Sequence, residues 1–222
     1  MRTQAYHGIW AVVPVKDLGG VKQRLAGALA QPERTALYRV MLEGVLDALA
    51  GADGLGGVLL VTRDPWAMAQ AHARGMQVLE EPENRGHTAA STLGAQRLAE
   101  GRAAGMLQVP GDLPLLRAAD VAALLAVHGA APAVTIAPSR DRQGSNAVAC
   151  SPADLLPLRF GADSFYPHLQ RARELGVTPG IVQRDGFALD VDTPEDLAAL
   201  QALPASSRAH AYLASIGYRA GL

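Results

Sequence analysis

Short apolar runs separated by amphipathic stretches constrain the fold of this 222-residue chain more than any other feature of its sequence. Residues 8–15, 58–62 and 105–110 are almost continuously apolar, which is typical of strands buried on both faces of a sheet. The stretch over residues 31–50 has Pro32 near its start and apolar side chains at helical spacing. This alternation predicts a doubly wound, mostly parallel sheet with right-handed crossovers.

The same patterns predict the remaining elements and the extent of the domain. Helices are expected over residues 65–74, 88–101, 118–128, 165–175 and 194–203, and strands over 77–79, 133–137, 146–150, 177–183 and 187–191. We expect a single domain over residues 1–203. The tail over residues 204–222 is rich in Ala, which is compatible with one more helix.

Charge and cysteine content exclude several classes of protein. A net charge of −1 provides no basic surface for nucleic acid. Neither a basic amphipathic helix nor an apolar run of about 18 residues indicates contact with a membrane. The single cysteine, Cys150, excludes an internal disulfide and a cysteine-based zinc site. Because the N-terminus also has no signal-peptide pattern, we expect a soluble cytoplasmic protein.

Carboxylates stand at two points where a predicted strand gives way to a turn and a helix. Asp112 follows the run that ends at Pro110, and Asp190 and Asp192 lie in the segment Leu-Asp-Val-Asp-Thr-Pro-Glu-Asp. Ligands bind at the carboxyl ends of strands in an open parallel sheet, so we expect these side chains to gather there. Each close pair would repel by about 4 kcal/mol at an effective dielectric of about 20, and Mg²⁺ would remove that cost. For Asp192, capping of the following helix is the alternative interpretation.

The loop after the first predicted strand is basic and contains paired glycines. This basic loop, residues 16–25, includes Lys16, Gly19, Gly20, Lys22 and Arg24. Glycines permit positive φ and a close approach of backbone N–H groups to an anion, so the loop is suited to a triphosphate. It has neither the Walker A spacing nor the Gly-x-Gly-x-x-Gly pattern, which disfavours an NAD-binding enzyme. An ordinary solvated loop is the alternative.

The basic loop and the two acidic segments resemble the 2-phospho-L-lactate guanylyltransferase family. Two further segments share the resemblance: Gly-Ser-Asn-Ala at 144–147 and Arg-Phe-Gly-Ala-Asp-Ser-Phe at 159–165. The resemblance extends from about residue 9 to residue 200. Its other motifs are Pro-Val-Lys, Lys-x-Arg-Leu, Pro-x-Asp-Leu-Pro-Leu-Leu and the second acidic segment. It implies a single-domain, three-layer α/β/α nucleotidyltransferase fold, GT-A-like and Rossmann-like, with a mostly parallel central sheet. It also implies transfer of GMP from GTP to 2-phospholactate, phosphoenolpyruvate or 3-phosphoglycerate, with release of pyrophosphate, in the biosynthesis of coenzyme F-420.

The resemblance and the charges together suggest a role for each site residue. The resemblance implies that Mg²⁺ is bound by Asp112, Asp190 and Asp192, and the phospho-acid by Ser145, Gly161 and Ser164. From charge and position we expect the catalytic residues to be Lys16, Lys22, Arg24 and Asp112. The expected nucleotide-binding residues are Pro14, Val15, Lys16, Gly19, Lys22, Arg24, Gly86, Thr88 and Asp112.

One segment departs from the family pattern. Residues 86–90 read Gly-His-Thr-Ala-Ala, where the family usually has Gly-Leu-Asn-x-Ala, so the base preference and the acceptor stay open. The same fold suits a nucleotidyltransferase that acts on a sugar phosphate or molybdopterin. A non-catalytic nucleotide-binding protein is a further alternative, although the retained acidic and basic groups argue against it. The expected partners are GTP and a small phospho-acid, without nucleic acid or a membrane, and a homodimer is one possible assembly.

Overall fold

A computed structural model describes residues 5–161 and 163–220, so residues 1–4, 162 and 221–222 of the predicted domain and tail lie outside the described part. Its strands form one seven-stranded sheet in the order β3-β2-β1-β4-β6-β5-β7. They are β1 (Ile9–Val15), β2 (Leu55–Thr62), β3 (Gln77–Leu79), β4 (Gly105–Gln108), β5 (Ala133–Pro138), β6 (Ser145–Ser151) and β7 (Gly180–Ile181). Only β6 runs antiparallel to its neighbours, β4 and β5, so the predicted mostly parallel sheet is confirmed.

Eight α-helices are described, together with two short 3₁₀ turns in the basic loop, Leu18–Gly20 and Gln23–Leu25. The helices are α1 (Gln31–Ala50), α2 (Pro65–Ala73), α3 (His87–Glu100), α4 (Ala118–Val127), α5 (Phe165–Glu174), α6 (Asp185–Ala188), α7 (Pro194–Gln201) and α8 (Arg208–Ser215). None of them is long and apolar enough to cross a membrane.

The sheet is buried on both faces, which gives the three layers that the sequence predicts. Along β1, Ala11, Val13 and Val15 pack into one apolar cluster, while Trp10 and Val12 pack into the other. The first cluster is covered by α1, α2, α4, α7 and α8, and the second by α3 and α5. The alternation of side chains along a strand therefore supplies two cores from one apolar run.

Helix α3 lies very close to the sheet at Gly94. A Cβ atom added there would come 2.5 Å from Val12 Cγ1 and 3.1 Å from Val61 Cγ2. Glycine is therefore required for this packing distance. That contact fixes the position of α3 against β1 and β2.

The strand expected over residues 177–183 forms but is shorter than predicted, and the strand expected over 187–191 is wrong. The strand spans Gly180–Ile181, and Val182 N–H also donates to Ile136 O of β5 at 3.0 Å, whereas Asp185–Ala188 is a helical turn. Phe187, Leu189 and Val191 are buried, which gives the strand-like alternation. The backbone N–H groups of Phe187 and Val191 do not donate to a strand of the sheet. Phe187 N–H donates to Arg184 O at 3.0 Å, and Val191 N–H donates to Asp112 O at 3.3 Å.

The tail contains a helix that packs against α1. Ala209 and Leu213 of α8 are almost fully buried in the first cluster. Tyr212 Oη donates to Glu33 O at 3.2 Å, and Arg208 Nη1 lies 3.0 Å from Glu43 Oε2. The described part of the tail is therefore folded onto the domain.

Candidate active site

A cleft of about 940 Å³ opens at one edge of the sheet, within the size range typical of small-molecule sites. The carboxyl ends of the parallel strands β1 and β4 meet there. Because β6 runs antiparallel beside β4, with Val148 opposite Gln108, its first residue, Ser145, comes to the same edge. The cleft therefore combines residues from parallel and antiparallel strands.

Two carboxylates hold the first half of the basic loop, one from the start of α2 and one from the loop itself. Asp64, itself buried at the start of α2, accepts from Leu18 N–H through Oδ2 at 3.2 Å and from Ala67 N–H through Oδ1 at 3.0 Å. Asp17 Oδ1 accepts from Gly19 N–H at 2.8 Å. These bonds fix the first half of the loop, so its cations are held beside the cleft.

Lys22 is the most constrained cation in the cleft. Its backbone adopts the left-handed conformation, with φ 55° and ψ 44°, which is uncommon for a residue with a Cβ. Its side chain is only 4% exposed, and Nζ donates to Asp192 Oδ1 at 2.7 Å and also to Asp112 Oδ2. Burial acts to lower the pKa of Lys22, but the two carboxylates outweigh it and the pKa is raised above its ordinary value. The ammonium is therefore fully charged at neutral pH.

The two acidic segments are joined by the backbone bond between Val191 N–H and Asp112 O. The interpretation of Asp192 as a helix cap is wrong, because Thr193 caps α7. Thr193 Oγ1 accepts from Asp196 N–H at 3.3 Å, and Asp196 Oδ2 accepts from Thr193 N–H at 2.9 Å. Burial favours the protonated form of Asp192, but the charge and hydrogen bond of Lys22 hold the pKa of Asp192 below its usual value.

Asp190 lies deeper in the cleft and is held by β6. Asn146 Nδ2 donates to Asp190 Oδ1 at 3.1 Å and to Phe187 O at 2.8 Å. Burial, and then the negative charge of Asp112, raise the pKa of Asp190 to about 6. The negative charges of Asp112 and Asp190 therefore repel each other, and a bound cation would reduce that repulsion.

The acidic residues fit a hard divalent cation that is bound together with substrate. Asp112 Oδ1 is buried and has no hydrogen-bond partner in the described structure, so this oxygen remains available for a ligand. Among the described residues, no three His, Cys, Asp or Glu side chains are already arranged to hold a metal ion. Mg²⁺ usually takes one or two carboxylates and completes its coordination with water and substrate phosphates, so a preformed cage is not required.

Two buried hydroxyls, those of Ser145 and Ser164, belong to another part of the cleft lining. Ser145 N–H donates to Ser164 Oγ at 2.9 Å, and Gly161 lines the same cleft. The ring of His168 lies behind them: its Nδ1 is 3.0 Å from Ser145 Oγ, and its Nε2 accepts from Arg159 N–H at 3.0 Å. Small hydroxyl groups, together with the backbone N–H of a glycine, make a compact site for an anion.

The start of α3 forms a third part of the cleft lining. Thr88 Oγ1 accepts from Phe160 N–H at 3.0 Å, which ties α3 to the segment before Gly161. The His87 ring packs edge-on against Phe160, with centroids 4.7 Å apart, and its Nε2 lies 2.9 Å from Gln108 Nε2. Burial lowers the pKa of His87 to about 4, so this ring is neutral at physiological pH.

All but two of the residues predicted for the site line this cleft. The following do: Pro14, Lys16, Lys22, Arg24, Gly86, Thr88, Asp112, Ser145, Gly161, Ser164, Asp190 and Asp192. Val15 and Gly19, which the sequence predicts to bind the nucleotide, do not line the cleft. Val15 is 1% exposed and packs into the core, and the N–H of Gly19 is already bound by Asp17.

Sequence reasoning missed three residues that shape the cleft. Asn146 lies directly after Ser145, and His168 lies one helical turn after Ser164, so both were within reach of the motifs. Tyr38, whose ring centroid is 5.7 Å from Lys22 Nζ, belongs to the apolar face of α1 and carried no separate signal. A Cβ on Gly111 would come 2.8 Å from Tyr38 Oη, so Gly111 leaves room for this ring.

One protein family matches almost the whole chain, and relatives named as guanylyltransferases align with most of it. The model of the family described as "Guanylyl transferase CofC like" matches residues 9–221. The phosphoenolpyruvate guanylyltransferase of Rubrobacter xylanophilus is 44% identical over 194 residues, which cover 87% of this chain and 94% of that protein. The 3-phospho-D-glycerate guanylyltransferase of Phenylobacterium zucineum is 36% identical over 213 residues, covering 94% and 97% of the two chains.

A further relative and a solved structure extend the comparison. The 2-phospho-L-lactate guanylyltransferase of Methanothermobacter thermautotrophicus is 31% identical over 208 residues, covering 94% of this chain and 91% of that protein. A structure from Desulfovibrio desulfuricans G20, assigned as a nucleotide-diphospho-sugar transferase, superposes with a TM-score of 0.77 at 18% identity and 96% coverage of both chains. At that identity the likeness concerns the fold alone.

Proposed function

Because the chain belongs to the guanylyl transferase CofC-like family and is a nucleotidyltransferase, we propose that it transfers GMP from GTP to a small phospho-acid. The acceptor is phosphoenolpyruvate, 2-phospho-L-lactate or 3-phospho-D-glycerate, and the product serves the biosynthesis of coenzyme F-420. The observation that carries the proposal is the convergence of Lys22, Asp112 and Asp192 in one cleft that Ser145 and Ser164 also line.

The reaction needs little proton transfer from the protein. A phosphate oxygen of the acceptor attacks the α-phosphorus of GTP, the bond from that phosphorus to the bridging oxygen breaks, and pyrophosphate leaves with the electron pair. The attacking oxygen is already anionic at neutral pH, so no general base is required. Catalysis then rests on positioning and charge neutralisation.

The residues of the cleft supply both effects. Lys22 and Arg24 would neutralise the β- and γ-phosphates as the leaving group gains charge, and Lys16 would lie nearer the α-phosphate. Asp112, Asp190 and Asp192 would hold Mg²⁺, which supplies charge neutralisation at the phosphate oxygens. All six residues line one cleft, which supports their acting at a single site.

Acceptor and base would occupy the two remaining parts of the cleft. Ser145, Gly161 and Ser164 would bind the phospho-acid through hydroxyl and backbone donors. Gly86 and Thr88, which line the same cleft, would contact the base. The cytoplasmic location suggested by the sequence stays a prediction. The homodimer also stays a prediction, and determination of the protein's size in solution would test it.

Product analysis tests this function directly. The protein is incubated with GTP and Mg²⁺ and each of the three phospho-acids, and guanylylated product is sought by mass spectrometry. Phosphoenolpyruvate is tried first, because the relative at 44% identity is named for it. Reactions with the other three nucleoside triphosphates, with sugar phosphates and without acceptor are the controls. Product from a sugar phosphate alone, or none from any phospho-acid, would contradict the proposal.

A further inference from the structure

His168 carries a hydrogen-bond arrangement that only one tautomer satisfies. The ring is 1% exposed, and its Nε2 accepts from Arg159 N–H at 3.0 Å. A backbone N–H can only donate, so Nε2 is the unprotonated nitrogen. Burial, and then the charge of Arg159, lower the pKa of His168 to about 4, so the ring is neutral at physiological pH. The single ring proton is therefore on Nδ1, 3.0 Å from Ser145 Oγ.

This tautomer decides which way the Ser145 hydroxyl faces. Ser145 Oγ accepts from His168 Nδ1–H, and Ser164 Oγ accepts from Ser145 N–H at 2.9 Å. Within the described residues, neither hydroxyl has a protein acceptor for its own proton. Ser145 and Ser164 both line the cleft, so both hydroxyl protons are available to a ligand bound there. Two donors without competing acceptors suit an anionic oxygen.

We propose that His168 is a positioning residue, which donates from Nδ1 to Ser145 Oγ and thereby directs the Ser145 hydroxyl proton toward an anionic oxygen of the phospho-acid. The inference rests on the proposed function, since it assumes that the acceptor binds against Ser145. With the opposite tautomer, Ser145 would donate to the ring and present lone pairs to the anion, which would weaken binding. His168 thus acts through Ser145 without touching the substrate.

Two substitutions separate the two nitrogens of the ring. The amide nitrogen of Asn lies as many bonds from Cα as Nδ1, so His168→Asn keeps a donor for Ser145. The amide of Gln matches Nε2 instead, so His168→Gln keeps the partner of Arg159 N–H but loses that donor. We expect His168→Gln to raise the KM for the phospho-acid about tenfold or more, with little change in the KM for GTP or in melting temperature. His168→Asn should restore the acceptor KM to within about threefold of wild type.

A double-substitution cycle shows whether His168 acts through Ser145. In a Ser145→Ala background, His168→Gln should change the acceptor KM by less than about twofold, since the hydroxyl that it orients is gone. If the Asn and Gln variants raise the acceptor KM equally, or if His168→Gln has its full effect without the Ser145 hydroxyl, the positioning role is wrong.

A measurement without catalysis completes the test. Imidazole ¹⁵N spectra of the wild-type protein at pH 7 should show His168 as the neutral tautomer protonated on Nδ1. An Nε2-protonated or doubly protonated ring overturns the positioning role whatever the activity. Failure of wild-type protein to guanylylate any phospho-acid overturns the proposed function instead, so the two failures are distinguishable.

Discussion

Lys22 Nζ lies 2.7 Å from Asp192 Oδ1, and the same ammonium contacts Asp112 from the other acidic segment. One nearly buried cation therefore balances two carboxylates that are predicted to bind a metal. Mutual attraction holds the pKa of Lys22 above and that of Asp192 below their usual values. A metal ion that binds these oxygens must compete with the lysine, which makes Lys22 the first residue to test.

Lys22→Met should separate metal binding from catalysis. Without the ammonium, Asp112 and Asp192 repel each other, so affinity for Mg²⁺ or Mn²⁺ in the absence of nucleotide should rise about tenfold. Nucleotidyl transfer should fall about 100-fold or more, because a cation at the leaving phosphates is lost. Calorimetric titration and steady-state kinetics measure the two effects. For the metal titration alone, Lys16→Met is the matched control, since Lys16 is exposed and forms no ion pair with Asp112 or Asp192. If the two variants bind the metal ion with equal affinity, Lys22 does not compete with the metal for Asp112 and Asp192.

Asp112→Asn should abolish most of the transfer activity. Asp112 Oδ1 is buried without a hydrogen-bond partner, so its charge is expected to serve a bound cation. We expect kcat/KM to fall about 100-fold or more with Mg²⁺ present. Asp141→Asn is the control, because Asp141 also lines the cleft but is bound by Ser139 Oγ at 2.6 Å and Gln143 N–H at 3.0 Å. Near-normal transfer by Asp112→Asn would show that the metal assignment is wrong.

Asp190→Asn should stabilise the metal-free protein at neutral pH. Burial and the charge of Asp112 raise the pKa of Asp190 from 3.8 to about 6, so the folded state holds this proton more tightly than the unfolded state. Wild-type stability should therefore fall as pH rises from 3.8 to about 6, and stay lower above that range. The variant should be more stable by up to about 3 kcal/mol at pH 7.5 and about equal at pH 3.5, since each pKa unit is worth about 1.4 kcal/mol. Urea unfolding in EDTA measures this, and a variant weakened equally at both pH values would count against it.

Two glycine substitutions should change stability in opposite directions. Gly94→Ala places a Cβ 2.5 Å from Val12 Cγ1, so it should lower the free energy of unfolding by about 1–3 kcal/mol. Gly44→Ala, in the middle of α1, meets nothing within 4 Å and should raise it by up to about 1 kcal/mol. Chemical unfolding of both variants checks the pair. A Gly94→Ala protein as stable as wild type would show that α3 is not tightly packed on β1.

The layered sheet and the positions of the acids follow from local sequence. An apolar run buried on both faces predicts β1, and the carboxylate that follows β4 predicts an acid at the cleft, because both depend on short-range pattern. The same kind of pattern fails at Phe187, Leu189 and Val191, which are buried without joining the sheet. Periodicity reports which side chains are buried, whereas sheet formation depends on which distant backbone supplies the hydrogen bonds.

The sequence by itself therefore determined the type of fold, the two acidic segments and the basic loop. Only the tertiary structure decided that Lys22 pairs with Asp112 and Asp192, which lie 90 and 170 residues away along the chain. It also decided that β6 runs antiparallel and brings Ser145 to the cleft, with His168 behind it. The physical reason is that burial preference is a property of each segment, while ion pairs and hydrogen-bond direction exist only between segments that folding has brought together.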